Sequence, residues 1–337
     1  MAKIKIFFTG GTIGSRAEDG VTDLSDTRAI SYKLLDNVPK NARTVFETET
    51  IYNVLSENTG MFHWEKLYRR VCDGLGGCDG VIITHGTDTL AYTAPFLAFT
   101  LRHAEVPVLL VSSNYPLDDA RTNGFENFRA AVDFILKTKL RGVYVPFSGN
   151  GETVIHLGAR LVQPQAFHHG FSSLRGVWFG RFKGGRFHRN PDPRNPTFED
   201  VSRPATPLPA FRSGQDVMCI MPYPGIDYGL FDLARRARAV LHGLYHSGTA
   251  NADVAEFAQR CAEKGVDFYA APFDSDYATY RSAVDIRTSG VEFLSGMTFE
   301  AAYAKLVVAY GAFDDDAERS QFLWETTAFE RQLTADN

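Results

Sequence analysis

Short apolar runs along the chain alternate with amphipathic segments. The runs in the first half predict four strands, at residues 3–8, 80–84, 106–112 and 142–147. Apolar residues spaced three and four apart predict helices in the segments 64–75 and 125–135. This alternation is typical of βαβ units, so we predict an α/β fold with a doubly wound, mostly parallel sheet in a larger N-terminal domain.

The alternation stops in the middle of the chain and then resumes. Residues 187–215 are rich in Pro and Arg and have little periodicity, which indicates a linker. Beyond it the pattern predicts further strands and helices, at residues 217–221, 239–245, 268–272, 254–261 and 299–310. We therefore predict an N-terminal catalytic domain, a linker and a smaller α/β C-terminal domain, at residues 1–188, 189–213 and 214–337.

Composition and charge narrow the class of protein. Hydrophobic residues make up 44% of the 337 residues and charged residues 22%, which is typical of a globular chain. The net charge of -5 comes without a long block of one sign, so nucleic acid is not an expected partner. The most apolar stretch, residues 90–101, is well short of the roughly 20 residues that a membrane span needs.

The N-terminus and the cysteines point to the cytoplasm. The first apolar stretch is too short for a secretory signal, and a glycine pair interrupts it. The four cysteines contain no Cys-x-x-Cys pair, so we expect reduced thiols rather than a disulfide framework or a zinc ribbon.

A glycine-rich motif, TGGTIG at residues 9–14, directly follows the first predicted strand. In open α/β sheets ligands bind at the carboxyl ends of strands, and glycines there let the backbone approach a ligand closely. The hydroxyl of Thr12 is therefore placed to face a bound group. The motif lacks the Gly-Lys-Ser/Thr of a phosphate-binding loop, and its glycine spacing is not that of a dinucleotide site.

A second motif, THGTDT at residues 84–89, also lies between a strand and a helix. It places the Thr87 hydroxyl beside the Asp88 carboxylate, which supplies a nucleophile and an ammonium-binding charge together. Capping of the following helix is the alternative role for either residue. His85 is interpreted as structural, because a histidine beside a strand end seldom acts as a base.

A third polar segment, NVLSENTG at residues 53–60, precedes the second predicted strand. Ser56 and Glu57 in it are candidates to bind the carboxylate and ammonium groups of an amino acid. A solvated turn is the alternative interpretation of such a segment.

Taken together, these three segments resemble the bacterial-type asparaginase/glutaminase family, whose signatures are TGGTI and HGTDT. The similarity covers nearly the whole chain. It includes residues 112–127 and the SGMTFEAA segment at 295–302, which is similar to the start of a late helix in the family.

The resemblance implies hydrolysis of a side-chain amide by a threonine nucleophile, with release of ammonia and without a cofactor. It assigns catalysis to Thr12, Thr87 and Asp88, and substrate binding to Ser56, Glu57 and Asp88. It also implies a homodimer or homotetramer with its sites near a subunit contact.

The chain departs from the family at two helper positions. In our alignment Val21 stands where the family carries a tyrosine that activates the first threonine. Leu161 stands where a lysine supports the second. Neither valine nor leucine can move a proton, and the neighbouring Arg160 is a poor proton acceptor because guanidinium stays charged. A third departure is Tyr115, which replaces the arginine of an Arg-Pro dipeptide.

The departures affect the choice of nucleophile. Glu18, Asp19 and Glu57 are the candidate replacement bases, since each carries a carboxylate within the same loops. Because two of these follow Thr12 in its glycine-flanked loop, we predict that Thr12 is the nucleophile. Thr87 is then a positioning or oxyanion-side group.

No metal site is predicted. The three histidines His156, His168 and His169 lack ligand spacing, and the acidic run at 314–316 is interpreted as a solvated turn, although three carboxylates can hold a hard cation. The resulting hypothesis is an L-asparaginase-type amidohydrolase acting on asparagine, with glutamine as a second candidate substrate. The alternatives are a hydrolase of the same fold acting on another small amide or lactam, and a non-catalytic amino-acid-binding protein.

Overall fold

The computed structural model describes residues 1–18, 21–38, 44–149, 151–214, 217–233, 237–274 and 280–332. The strands, in chain order, are β1 (Ala2–Gly10), β2 (Ser15–Glu18), β3 (Val21–Leu24), β4 (Thr44–Val54), β5 (Gly80–Thr84), β6 (Pro107–Val111), β7 (Gly142–Gly149), β8 (Glu152–Leu157), β9 (Leu161–Val162), β10 (Ser172–Ser173), β11 (Gly180–Lys183), β12 (Arg186–Arg189), β13 (Val217–Ile220), β14 (Ala239–Gly243), β15 (Asp267–Phe273) and β16 (Glu292–Ser295). The α-helices are α1 (Thr27–Asp36), α2 (Met61–Gly74), α3 (Leu90–Thr100), α4 (Gly124–Thr138), α5 (Phe198–Ser202), α6 (Val254–Glu263), α7 (Arg281–Thr288), α8 (Phe299–Ala312) and α9 (Asp316–Trp324).

The larger sheet has the strand order β12-β11-β8-β7-β6-β5-β1-β4. Its strands from β4 to β7 are parallel, and β8, β11 and β12 continue it in antiparallel fashion. Every residue of β5 and β6 is buried, because helices cover both faces of these central strands. The apolar runs at 80–84 and 106–112 therefore mark the centre of the sheet.

A smaller sheet, β13-β14-β15-β16, is parallel throughout. It confirms the predicted fold class: a mostly parallel doubly wound sheet followed by a smaller α/β unit.

One hydrophobic core joins the two sheets. It contains residues from one face of β5, such as Ile83, and residues from one face of β14, such as Leu241. Helices α3 and α8 pack against each other between the sheets, and both are buried along most of their length. The C-terminal unit is therefore packed onto the helix that follows the second motif.

The edge strand β4 is absent from the strands predicted by pattern. Its outer positions carry charged side chains such as Glu47 and Glu49, and Ile51 is its one buried residue. An edge strand exposed to solvent needs no continuous apolar run, so the sequence offered no strong signal for it.

The apolar stretch at 90–101 forms the buried helix α3, which the helical spacing did not predict. Because apolar residues surround the whole helix, no amphipathic period marks it. None of the described helices is long and apolar enough to cross a bilayer.

The segment predicted as a linker contains ordered structure. Helix α5 lies within it, and Phe211 near its end is buried, with its ring 5.1 Å from that of Phe96 in α3. The four cysteines are free.

Candidate active site

The three sequence motifs lie at one edge of the larger sheet. They follow β1, β4 and β5, which are adjacent and parallel, so the carboxyl ends of these strands meet. The chain runs from β1 to β4 on one side of β1 and then to β5 on the other. Such a reversal of strand order is where open α/β sheets bind ligands.

The turn after β1 depends on its two glycines. Gly10 and Gly11 have φ values of 99° and 75°, which favour glycine. A Cβ atom on Gly11 would lie 2.2 Å from the backbone nitrogen of Gly86, so the two motifs touch through their backbones. Thr12 begins the 3-10 turn that follows, and its side chain is half-buried.

The turn after β5 is held from inside the protein. Thr9 donates a hydrogen bond from Oγ1 to the carbonyl oxygen of Thr84, and His85 bonds the carbonyl oxygen of Gly86 through Nδ1 at 2.8 Å. Burial lowers the pKa of His85 to about 4. A buried, neutral imidazole that bonds its own turn agrees with the structural role predicted for this residue.

Ser56 joins the third segment to the second motif. The side chain is buried, its Oγ lies 3.3 Å from both the backbone nitrogen and Oδ2 of Asp88, and its carbonyl accepts from the Thr89 hydroxyl at 3.0 Å. A Cβ atom on Gly86 would lie 2.4 Å from the same Oγ. The structure therefore brings Ser56 and Asp88 together.

Glu57 takes no part in this contact. It is exposed, and within the described part of the chain no hydrogen bond links its side chain to either motif. Thr87 is half-buried. It precedes Asp88, whose side chain is exposed at the carboxyl end of the strands. The roles of Thr12, Thr87, Asp88, Ser56 and Glu57 stay predictions.

The stretch aligned with the family's lysine contributes a different residue from the one expected. Leu161 is fully buried in the core. Two residues later, Gln163 donates from Nε2 to the carbonyl oxygen of Asp88 at 2.7 Å. Gln163 therefore contacts the candidate site, and the sequence reasoning missed it. The sequence contains a hint of this contact, because Gln163 is the first polar side chain after Leu161 and Val162.

Arg160 contacts the C-terminal segment of the chain rather than the candidate site. Its guanidinium donates to the carbonyl oxygens of Phe329, Arg194 and Arg331, at 2.5, 2.9 and 2.6 Å. Burial lowers the pKa of Arg160 to about 10, so the group stays charged near neutral pH. These contacts give it a structural role rather than that of a base.

The loop after Thr12 is described in part. The hairpin of β2 and β3 follows the turn, and Val21 is 65% exposed. Asp19 lies outside the described residues, as does the side chain of Glu18. Their predicted role as bases stays a prediction.

No group of three or more potential metal ligands occurs among the described side chains. His156 is buried and bonds the Ser173 hydroxyl at 2.8 Å, and Asp315 caps helix α9 by accepting from two backbone nitrogens.

Comparisons with known proteins identify a family and several relatives. A family model described as "Asparaginase, N-terminal" matches residues 3–193. Among curated proteins, a glutamyl-tRNA(Gln) amidotransferase subunit of Saccharolobus islandicus is 34% identical over 171 residues. That match covers 50% of this chain but only 36% of the relative. The same amidotransferase subunit of Methanopyrus kandleri is 26% identical, with 94% of this chain and 72% of the relative covered.

Solved structures show the same fold. The L-asparaginase of Thermococcus kodakarensis superposes with a TM-score of 0.80 at 24% identity, covering 98% of this chain and 100% of that one. L-asparaginase I of Vibrio cholerae superposes with a TM-score of 0.78 at 23% identity, covering 98% of this chain and 99% of that one. A probable cytoplasmic L-asparaginase of Campylobacter jejuni superposes with a TM-score of 0.75 at 22% identity, covering 97% of this chain and 100% of that one. With a family model that spans more than half of its length, the chain belongs to the asparaginase family.

Proposed function

We propose that the protein hydrolyses the side-chain amide of a small amino acid, asparagine first and glutamine second, to the acid and ammonia. The observation that carries the proposal is the convergence of three motifs at the switch point of the sheet. The Thr12 turn touches the turn that bears Thr87 and Asp88, and Ser56 contacts Asp88. The two adjoining turns thus carry two threonine hydroxyls and a carboxylate.

The proposed reaction gives each group a task. Asp88 binds the substrate ammonium, and Ser56 with Glu57 completes the amino-acid site. The Thr12 oxygen bonds to the carboxamide carbon as the C–N bond breaks, and the nitrogen takes up a proton and leaves as ammonia. Water then hydrolyses the ester, which yields the acid and restores Thr12.

The reaction needs a group that accepts the Thr12 proton. Val21 and Gln163 carry no side chain that accepts a proton near neutral pH. We therefore seek the acceptor among Glu18, Asp19 and Glu57, and we assign Thr87 to positioning or to the oxyanion side.

A second candidate function comes from the names of the curated relatives. The 34% identity to an amidotransferase subunit favours a role in a larger assembly that acts on glutamyl-tRNA(Gln). Glutamine turnover that rises when glutamyl-tRNA(Gln) and the other subunits are added would support this function over free hydrolysis.

The setting of the protein is part of the proposal. A cytoplasmic location is supported by the Campylobacter jejuni neighbour, which is described as a probable cytoplasmic enzyme. A homodimer or homotetramer follows from the family resemblance, and light scattering after gel filtration measures it. For the free hydrolase, the proposed partner is a small amino-acid amide rather than nucleic acid or membrane, in keeping with the net charge of -5.

Ammonia release from asparagine, glutamine, other linear amides and lactams tests the reaction, with aspartate binding followed by thermal shift. We expect asparagine turnover in the wild type, almost none in Thr12→Ala, and residual turnover in Thr87→Ala. A thousandfold loss corresponds to about 4 kcal/mol of barrier. The control is Thr50→Ala, which removes one exposed hydroxyl contact on β4.

Three results would contradict the proposal in different ways. Aspartate binding without release of ammonia from any amide indicates a binding protein. Turnover of lactams alone indicates a different substrate class. An inactive Thr87→Ala beside an active Thr12→Ala reverses the roles of the two threonines.

A further inference from the structure

Glu300 is a buried carboxyl that the proposed reaction does not use. It lies in the first turn of α8, within the SGMTFEAA segment, and is only 7% exposed. Thr298 already caps this helix by accepting from the backbone nitrogen of Ala301 at 3.0 Å. Burial raises the pKa of Glu300. The carboxyl has two local hydrogen-bond partners at the start of the helix, the Thr298 hydroxyl and the backbone nitrogen of Glu300, and a third partner in another part of the chain.

The contacts of Glu300 lead to the candidate site in two hydrogen bonds. Glu300 accepts at Oε1 from the backbone nitrogen of Gln163 at 2.8 Å. Gln163 in turn donates from Nε2 to the carbonyl oxygen of Asp88 at 2.7 Å. The first bond fixes the main chain of residue 163, and the second fixes its side chain.

The helices on either side reinforce this connection. Helix α3 begins at Leu90, directly after the second motif, and it packs along α8. The rings of Tyr92 and Tyr303 meet edge to face at 5.8 Å across this contact. The turn that carries Asp88 is thus held by the C-terminal unit through its helix and through Gln163.

A space-filling role alone does not explain a carboxyl at this position. Burying an ionisable group costs free energy, and an apolar side chain of similar volume is at least as stabilising where only packing matters. A backbone N–H left unpaired in the same place is also costly, and Glu300 satisfies that of Gln163. Among the described partners of this carboxyl, Gln163 is the one that lies outside the start of α8.

We propose that Glu300 is a positioning residue of the candidate site. Through Gln163 it fixes the backbone at Asp88, and so it orients the Asp88 carboxylate and the adjacent Thr87 hydroxyl toward the substrate. The C-terminal unit thereby controls the geometry of a site whose motifs all come from the larger sheet. This inference rests on the proposed function for the meaning of the site.

The test compares Glu300→Ala with Glu300→Gln, which keeps an acceptor oxygen in the same place. We expect Glu300→Ala to raise KM for the amide and Kd for aspartate at least fivefold, with a smaller change in kcat. Glu300→Gln should stay within twofold of the wild type. The control is Val308→Ala, which removes buried volume from the same helix away from the site.

Gln163→Ala supplies the second arm. If Glu300 acts through Gln163, the double variant should bind aspartate no more weakly than the worse single variant. Independent, additive losses would overturn the proposal, as would an equal loss of affinity in Val308→Ala and Glu300→Ala.

Hydrogen exchange of the free protein keeps the test separate from catalysis. We expect faster exchange in residues 84–90 for Glu300→Ala, but not for Glu300→Gln or Val308→Ala. Unchanged exchange in Glu300→Ala would overturn the proposal even if asparagine is a substrate. Faster exchange would support the connection to Asp88 even if no amide is hydrolysed.

Discussion

At the scale of single residues, Asp88 is held by its backbone while its side chain stays at the surface. Its N–H faces Ser56 Oγ, and its carbonyl oxygen accepts from Gln163. The side chain is exposed at the sheet edge and contacts the Ser56 hydroxyl. A carboxylate on a fixed backbone is suited to recognise a cation, because little conformational freedom is lost on binding.

Asp88→Asn should raise the Kd for aspartate about tenfold or more, since a hydrogen bond to a charged group is worth roughly 1.5 to 3 kcal/mol. Isothermal titration at fixed pH measures the change. Asp118→Asn is the control, because Asp118 pairs with Lys33 on the surface. Equal affinity in the wild type and Asp88→Asn would refute the ammonium-binding role.

Lysine substitutions at Leu161 and Gln163 test which of the two positions corresponds to the lysine of the family. Leu161→Lys should lower the free energy of unfolding by about 3 kcal/mol or more, because it places a charge in the apolar core. Gln163→Lys should change stability by less than about 1 kcal/mol, since position 163 is partly exposed and lysine keeps a donor for the Asp88 carbonyl.

Urea unfolding and ammonia release measure both variants. We expect Gln163→Lys to turn over asparagine at least as fast as the wild type, because an amine exchanges protons and an amide does not. A stable Leu161→Lys with raised turnover would instead restore the original alignment of this stretch.

At the scale of elements, the site depends on how closely two strand-end turns approach. Gly11 has a φ of 75°, and a Cβ there would overlap the backbone of Gly86 rather than a movable side chain. The parallel pairing of β1 with β5 sets this distance, since Phe7 lies opposite Ile83 near the ends of the strands.

Gly11→Ala should therefore lower the free energy of unfolding by more than about 2 kcal/mol and weaken aspartate binding. Gly14→Ala is the matched control in the same turn, because no atom lies within 4 Å of a Cβ built there. We expect Gly14→Ala to stay within about 0.5 kcal/mol of the wild type in chemical denaturation. Similar losses in both variants would mean that the contact between the turns does not limit stability.

At the scale of the whole molecule, the segment 325–332 ties the two units together. Lys305 of α8 forms a fully buried ion pair with Glu330, which also accepts from the backbone nitrogen of Ala328 at 2.9 Å. Arg160 bonds the carbonyl oxygens of the neighbouring residues Phe329 and Arg331. Lys305 of the C-terminal unit and Arg160 of the larger unit, both buried, therefore bind the same short segment.

Glu330→Gln should cost about 3 to 5 kcal/mol of stability at neutral pH, since it leaves the buried Lys305 without its counter-charge. Burial alone would raise the pKa of Glu330, but Lys305 and the hydrogen bonds hold it below its usual value. A lowered carboxyl pKa stabilises the fold above the unfolded-state pKa of about 4, and that contribution is lost as pH falls through the folded-state value.

Unfolding midpoints of the wild type and Glu330→Gln, measured from pH 7 down to pH 3, test this pH dependence. The gap between the wild type and Glu330→Gln should be widest near neutral pH and should narrow in acid. Asp133→Asn, which removes one partner of an exposed ion pair with Lys137, should change stability by less than about 1 kcal/mol. A constant gap at every pH would contradict the assignment.

Local sequence determined the elements whose signal is contained in neighbouring residues. The apolar run at 80–84 coincides with β5, and the spacing of Trp64, Leu67 and Val71 matches the buried face of α2. The two glycine motifs, read with the strands before them, predicted where the candidate site lies. These inferences needed only the period of a strand or helix and the conformational freedom of glycine.

Only the tertiary structure decided which distant residues complete that site. It placed Leu161 in the core and Gln163 against Asp88, and it brought Glu300 to the backbone of Gln163. It also turned Arg160 toward the C-terminal segment. The physical reason is that each of these contacts joins residues more than 70 positions apart, and the hydrophobic pattern specifies which face a side chain takes but not which partner it meets there.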